Sequence, residues 1–351
     1  MSKTDDLLKK THDLILKNKF KEAITACDLI LKLNKKSFQA NLNKANLLAE
    51  IGLHKRSLHY YDKALKIIPD EPLAMFNLAT TLYDLDRHDE AIRMFDKVIK
   101  IRPKDVDAIC NKANTLVALG RHKQAMSNYD KALKITPKDI VILNNKGIVF
   151  AGESKHKEAI NCFDAALRID PVDMDTLCNK GNSLAELGDF DEAAACFESV
   201  LEIDSADYDA CFRLGVAYAN TNRPKEAILC FNKVLKKDPT HTDALTNKGI
   251  AYIALKKYMH SISSFEKALR IDRHNVDAMY HKSQSLAELE DSKSAILLLR
   301  KIAKREKMGH DHHYHNHHKE HQSLREKICQ DAHFSKLKGD KIFLSFMRTL
   351  H

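Results

Sequence analysis

The sequence predicts an all-α solenoid of stacked antiparallel helix pairs, closed by a short helical C-terminal cap. Three observations predict it. Residue types recur every 34 positions from near the N-terminus to residue 309, with no insertion or deletion. The recurring residues lie three and four apart within each unit, which is one face of an α-helix. Gly and Pro recur where such helices would end. A fixed period of this length is the mark of a repeat architecture, in which each helix pair buries its apolar face only by stacking on its neighbours.

The second helix of each unit carries the clearest signal. A small residue stands at Ala23, Ser57, Ala91, Ala125, Ala159, Ala193, Ala227, Ser261 and Ala295. Four residues on come Cys27, Tyr61, Phe95, Tyr129, Phe163, Phe197, Phe231, Phe265 and Leu299. Three further on come Ile30, Ala64, Val98, Ala132, Ala166, Val200, Val234, Ala268 and Ile302. Small residues let a neighbouring helix approach closely, and the bulky side chain fills the space beside the contact.

The first helix has its own pair of rows. Ala45, Ala79, Ala113, Gly147, Gly181, Gly215, Gly249 and Ser283 are small, and Leu48, Leu82, Leu116, Phe150, Leu184, Tyr218, Tyr252 and Leu286 follow three residues later. Between the helices a turn often reads Leu-Gly, as at Leu119-Gly120 and Leu187-Gly188. Glycine suits the left-handed residue that ends a helix. Pro69, Pro103, Pro137, Pro171 and Pro239 follow the second helix, stop it and let the next begin at an angle.

These rows resemble the tetratricopeptide repeat. The segment from Asn111 to Pro137 matches that repeat almost position for position, although the usual Trp at place 4 is replaced by Met75, Ile109, Leu143 and Leu177. The resemblance divides the chain into nine units: 4–37, 38–71, 72–105, 106–139, 140–173, 174–207, 208–241, 242–275 and 276–309. The first and last are degenerate, with Thr11 and Lys35 in one and Ser283 and Leu299 in the other. A His-rich linker over 310–321 and a C-terminal cap over 322–351 follow. The resemblance implies a right-handed superhelix, with the first helix of each unit lining a concave groove. It also implies a non-catalytic, cytoplasmic protein-binding scaffold, with an unidentified protein or peptide as partner and no cofactor.

Place 6 of each unit is the most informative groove position. It reads Lys9, Asn43, Asn77, Asn111, Asn145, Asn179, Arg213, Asn247 and His281, and Asn46, Asn114 and Asn182 stand one turn further on at place 9. A carboxamide offers both donor and acceptor, matching the N–H and C=O of an extended peptide. The peptide-gripping Asn row of the O-linked N-acetylglucosamine transferase solenoid is similar. Two roles fit these residues: gripping a peptide, or bonding a neighbouring helix and setting the repeat angle. Lys44, Lys112, Lys146, Lys180, Lys248 and Lys282, at place 7, are expected to lay their stems along the interface and send their ammonium groups to solvent. Asp5, Asp107, Asp175, Asp209, Asp243 and Asp277 suit the first helical turn, where a carboxylate opposes the helix dipole. The two-carboxylate clamp with which some family members hold chaperone tails is incomplete: Arg213 follows Asn179, but the other places read Asn144, Ile148 and Asp209.

Composition narrows the remaining functions. The chain has 351 residues, 57 basic and 48 acidic, and a net charge of +9 with the two signs interleaved, so no basic stripe points to specific nucleic-acid binding. No apolar run approaches the roughly 20 residues of a membrane helix, and the charged first ten residues do not read as a secretory signal. The eight Cys form no C-x-x-C pair and read as reduced packing residues. No Ser-nucleophile, phosphate-loop or zinc-protease motif is present. His310, His312, His313, His315, His317, His318 and His321 could hold Ni²⁺, Zn²⁺ or Cu²⁺, so metal handling is an alternative function; a regulatory array acting in trans with a transferase is another. In the cap, Leu324, Ile328, Ile342, Phe343, Phe346 and Met347 are expected to cover the last unit.

Overall fold

The structure, a computed structural model, describes residues 3–307 and 323–350. Among them every regular element is a helix. The chain forms two compact units, Met1–Pro171 and Val172–His351. The His tract from His310 to His321 lies outside the described residues.

The first unit contains five helix pairs: α1 Lys3–Leu16 with α2 Phe20–Leu33, α3 Phe38–Glu50 with α4 His54–Ile67, α5 Pro72–Asp84 with α6 His88–Ile101, α7 Val106–Ala118 with α8 His122–Ile135, and α9 Ile140–Gly152 with α10 His156–Leu167. Each helix packs on the next in sequence, and α3, α5, α7 and α9 also meet one another in series. The second unit repeats the plan with α11 Met174–Leu187 and α12 Phe190–Ile203, α13 Tyr208–Asn220 and α14 Pro224–Lys237, α15 Thr242–Ala254 and α16 Tyr258–Ile271, and α17 Val276–Glu288 and α18 Ser292–Lys307. It ends with α19 Leu324–Gln330, a 3₁₀ turn Ala332–Leu337, and α20 Lys341–Met347.

The first helix of most pairs begins on a side-chain cap. The carboxylates of Asp105, Asp139, Asp173 and Asp207 accept the N–H three residues on, and Ser37, His241 and Asn275 do the same. Such a cap satisfies a helix N–H that has no partner of its own. The second helices from α2 to α16 have no such cap, whereas Asp291 accepts the Ser294 N–H at the start of α18. The second helices are all entered through one left-handed residue at place 15: Asn18, Gly52, Asp86, Gly120, Ser154, Gly188, Asn222, Lys256 or Glu290, with φ from 55° to 87°. The turn geometry expected at the Leu-Gly positions therefore extends to six positions without glycine, because the backbone path is common to all nine turns.

The core follows the recurring rows. Tyr61, Phe95, Tyr129, Phe163, Phe197, Phe231 and Phe265 are almost wholly buried, as are the small residues that face them. Where the facing residue is glycine the ring occupies the space of a side chain: a Cβ at Gly147 would stand 2.4 Å from Phe163 Cε1, and one at Gly249 would stand 2.4 Å from Phe265 Cε1. Close packing of this kind transmits any added volume directly to the neighbouring helix.

The cap covers the last pair. Leu324, Ile328, Phe343 and Phe346 join a core with Ile296, Leu299 and Ile302 of α18. Ile342 departs from expectation and is 45% exposed; α20 has only two turns, and its buried face is taken by Phe343 and Phe346. Phe334 and Leu337 in the 3₁₀ turn complete the core, with the Phe334 ring stacked on Phe343 and edge-on to Tyr280. Polar contacts fix the cap in register. Asp331 accepts the Tyr280 hydroxyl at 2.9 Å and the Gln284 amide, and His333 meets Glu288 at 2.7 Å.

Candidate functional site

The asparagines at places 6 and 9, and Arg213, are all half-buried on the first helices of their pairs. They divide into two sets. Asn77 donates an amide N–H to Asn46 Oδ1 at 3.0 Å, and Asn145 donates to Asn114 Oδ1 at 3.4 Å. In the second unit Arg213 Nη1 donates to Asn182 Oδ1 at 2.8 Å and Arg213 Nε to Asp209 at 2.9 Å. The links to Asn46, Asn114 and Asn182 each join place 9 of one helix pair to place 6 of the next, while the Arg213–Asp209 pair lies within α13. Two of the acceptors are used twice: the Tyr61 hydroxyl donates to Asn46 at 2.8 Å and the Tyr129 hydroxyl to Asn114 at 2.5 Å. Burial pushes the Tyr61 hydroxyl up to about 12, so it keeps its proton as a donor.

The second set bonds within its own helix. Asn111 donates to the Asp107 carbonyl at 2.9 Å and Asn247 to the Asp243 carbonyl at 2.9 Å. Asn43 accepts from Gln39 Nε2 at 2.8 Å. Asn179 is engaged as well. The cause of the division lies one unit upstream. Place 9 before Asn77, Asn145 and Arg213 is Asn, whereas before Asn43, Asn111, Asn179 and Asn247 it is His12, Thr80, Ile148 and Val216. With no acceptor behind them, Asn111 and Asn247 turn to the carbonyl one turn back in their own helix.

The alternation has a period of two repeats. Asn46, Asn114 and Asn182 are 68 residues apart, and so are Asn77, Asn145 and Arg213. The 34-residue reading passes over this pattern, but the 68-residue spacing of place 9 carries it.

The lysines at place 7 are placed differently from expectation. Lys112 pairs with Asp96 at 2.6 Å, Lys146 with Asp130 at 2.7 Å and Lys282 with Glu266 at 2.9 Å, and buried Lys44 pairs with Asp28. In each case the acid lies sixteen residues earlier, on the second helix of the preceding pair. The ammonium groups are therefore held by carboxylates rather than sent to solvent. For Lys44, burial alone would lower the ammonium; hydrogen bonds to Asp28 and Tyr60 outweigh it and hold the group above the ordinary lysine range. Lys248 meets no such acid, because the corresponding residue is Asn232. Burial, reinforced by Lys267, pushes Lys248 down.

Among the described residues no three His, Cys, Asp or Glu side chains are grouped to hold a metal ion, and no helix is long and apolar enough to cross a membrane. The metal candidates of the His tract lie outside the described residues. Burial raises the thiols of Cys27, Cys110 and Cys178 to about 11, 12 and 11, which makes them poor nucleophiles near neutral pH.

Comparison with known proteins agrees with this architecture. Three family profiles, each described as tetratricopeptide repeat, match residues 82–144 and 184–246, residues 36–104, and residues 141–173 and 242–275. No curated protein matches the chain. Among solved structures, YrrB, described as a TPR protein with an unusual peptide-binding site, is 28% identical over 54% of this chain and 97% of its own, with a TM-score of 0.50. The Cut9–Hcn1 tetramer of the APC/C contains a chain that is 18% identical, covering 80% of this chain and 55% of its own, with a TM-score of 0.51. The C-terminal part of a repeat protein from Cytophaga hutchinsonii is 15% identical over 68% of this chain and 98% of its own, with a TM-score of 0.59.

Proposed function

The chain belongs to the tetratricopeptide-repeat family, and from that premise we propose that it is a non-catalytic scaffold that grips an extended peptide through the asparagines at place 6. One observation carries the reading. Asn111 and Asn247 each spend one amide N–H on a carbonyl of their own helix, which leaves an acceptor oxygen and a second N–H for a ligand. Those are the two groups that pair with a peptide unit. Asn43 has spare donor capacity, since its recorded bond uses its oxygen.

The reading assigns two duties to one row. Asn77, Asn145 and Arg213 link successive helix pairs through Asn46, Asn114 and Asn182, while Asn43 and Asn111 in the first unit, and separately Asn247 in the second, meet a peptide. The peptide-binding site named for YrrB, which is 28% identical over about half of this chain, lends the peptide class support.

Selection of peptides from a random library on the intact protein tests the proposal. The selected peptides should bind the triple variant Asn43→Ala/Asn111→Ala/Asn247→Ala at least about tenfold more weakly, the loss expected from about 1.4 kcal/mol of hydrogen bonding. The melting temperature should hardly move. Equal affinity for the triple variant and the parent would refute the proposal.

A further inference from the structure

The first two helix pairs enclose a cleft of about 960 Å³ that none of the place 6 or place 9 residues lines. Its walls come from α2, the loop that follows it, α3 and α4. Five lysines surround it: Lys32, Lys35, Lys36, Lys63 and Lys66. All five are exposed, and among the described residues none is ion-paired. The carboxylate in the cleft, Asp28, is already held by Lys44. Leu29, Leu31 and Ile67 supply an apolar wall, and Leu29 is 45% exposed. The Tyr60 ring stands between two cations, with Lys44 Nζ 4.2 Å and Lys63 Nζ 5.4 Å from its centroid.

The residues that build this cleft are departures from the repeat. Place 4 is apolar in every other unit, at Leu7, Met75, Ile109, Leu143, Leu177, Cys211, Leu245 and Met279, but here it is Asn41. Asn41 is fully buried. Its amide nitrogen donates to the Ser37 carbonyl at 2.8 Å and the Lys35 carbonyl at 3.4 Å, and its Oδ1 has no donor. A buried acceptor without a donor costs about 1–3 kcal/mol, a sacrifice that packing alone does not require, since an apolar side chain serves elsewhere. Lys35 replaces the proline found at Pro69, Pro103, Pro137, Pro171 and Pro239, and Tyr60 is the one aromatic at its place in the nine units.

We propose that this cleft binds a multiply phosphorylated small molecule of about nucleotide size, with its phosphates among the five lysines and its less polar part against Leu29 and Ile67. The volume lies within the range of small-ligand sites, which bury most of their ligand in a concave, partly apolar space. Five unneutralised ammonium groups around one such space match the charge of a polyphosphate, which would neutralise their mutual repulsion. Asn41 acts as a positioning residue. Its amide holds the Lys35–Ser37 loop so that Lys35 and Lys36 stand at the rim.

Calorimetric titration of the full chain with ATP and with inorganic tripolyphosphate tests this. Both should bind saturably, one per chain, and more weakly as salt rises. Lys35→Glu/Lys63→Glu should lose at least about tenfold in affinity, while Lys97→Glu/Lys100→Glu, which changes the counterparts of Lys63 and Lys66 on α6, should bind as the parent does. Asn41→Leu should bind ATP more weakly yet melt at a higher temperature, whereas a purely structural Asn41 would change the melt alone. Absence of saturable binding by both phosphate compounds would overturn the proposal. So would unchanged affinity in Lys35→Glu/Lys63→Glu, or tighter binding of a hexaglutamate peptide or of vesicles rich in anionic lipid, which would make the cleft a docking site for an acidic protein or a membrane.

Discussion

Asn77 and Asn46 are joined by a side-chain amide bond of 3.0 Å across 31 residues of chain, from the first helix of one pair to the first helix of the next. The same oxygen of Asn46 accepts the hydroxyl of Tyr61. One acceptor thus ties a buried ring on its own pair to a polar side chain on the following pair. Asn46→Ala is expected to leave both donors without that partner and to cost about 1–3 kcal/mol. Asn111→Ala, which loses only a bond within its own helix, should change stability by about 0.5 kcal/mol or less. Urea unfolding of the two variants checks the contrast, and equal losses would mean that the link between pairs contributes nothing.

Glycine is the tighter fit at place 8 from the fifth unit to the eighth. Gly147→Ala removes a flexible residue from the middle of α9, a gain of about 1 kcal/mol in helix propensity, but its new methyl meets the Phe163 ring. Overpacking of this kind costs about 1–3 kcal/mol, so net destabilisation is expected. Gly152→Ala, whose new methyl meets nothing within 4 Å, should be neutral or stabilising. Thermal melts of both variants decide it; a Gly147→Ala protein as stable as Gly152→Ala would show that the ring moves aside freely.

The left-handed residues at place 15 offer a gain. Lys256 and Glu290 have φ of 57° and 61°, a region that costs a residue with a side chain about 1–2 kcal/mol. Replacing Lys256 by Gly should stabilise the second unit by about 0.5–1 kcal/mol after the loss of chain entropy is counted. The same change at Asn222, a residue that tolerates this conformation, should do less. Denaturant midpoints of the two variants provide the check, and a larger gain at Asn222 would contradict the strain argument.

Acid should loosen the end of the second unit. Burial holds the His281 imidazole below its ordinary value, with the hydrogen bond between its Nδ1 and the accepting Gln284 Oε1 working in the opposite direction. Below about pH 6.5 the unfolded chain takes up a proton that the folded one resists. The stability this neutral histidine contributes is therefore full above that pH and is lost as pH falls through the folded value. His281→Gln should show a shallower fall in melting temperature between about pH 7.5 and about pH 5.5 than the parent. Parallel curves would remove His281 from the account.

The cap carries a comparable test. Phe334 is 1% exposed between Tyr280 and Phe343, and Phe334→Ala should cost about 3–5 kcal/mol. Hydrogen exchange in α17 should rise with it; unchanged exchange there would mean that the cap does not shield the last pair.

Much of this fold was legible in the sequence because its core is periodic. Rows such as Ala91, Phe95 and Val98 name their own helix face, and all three are buried. The caps at Asp105 and Asp139 and the left-handed turns at Ser154 and Glu290 were less legible, since the residue type there does not announce the backbone. The site was half legible. The asparagines at place 6 stand out by count, but which of them bonds backwards depends on a residue 31 positions earlier. The cap was read from its apolar residues, and the exposed Ile342 shows that a two-turn helix has too few positions for their spacing to say which face is buried.

The two-repeat alternation makes the array sensitive to parity. Excising residues 106–139 would set Asn145 against Thr80 and lose a link, whereas excising residues 72–105 would set Asn111 against the Asn46 acceptor and keep one. Excising 68 residues would restore every pairing. Shortened or lengthened versions of this protein should therefore tolerate even steps in either frame and odd steps only where the junction keeps an Asn acceptor before it, so that the module interchangeable in every frame is a four-helix block rather than a single hairpin.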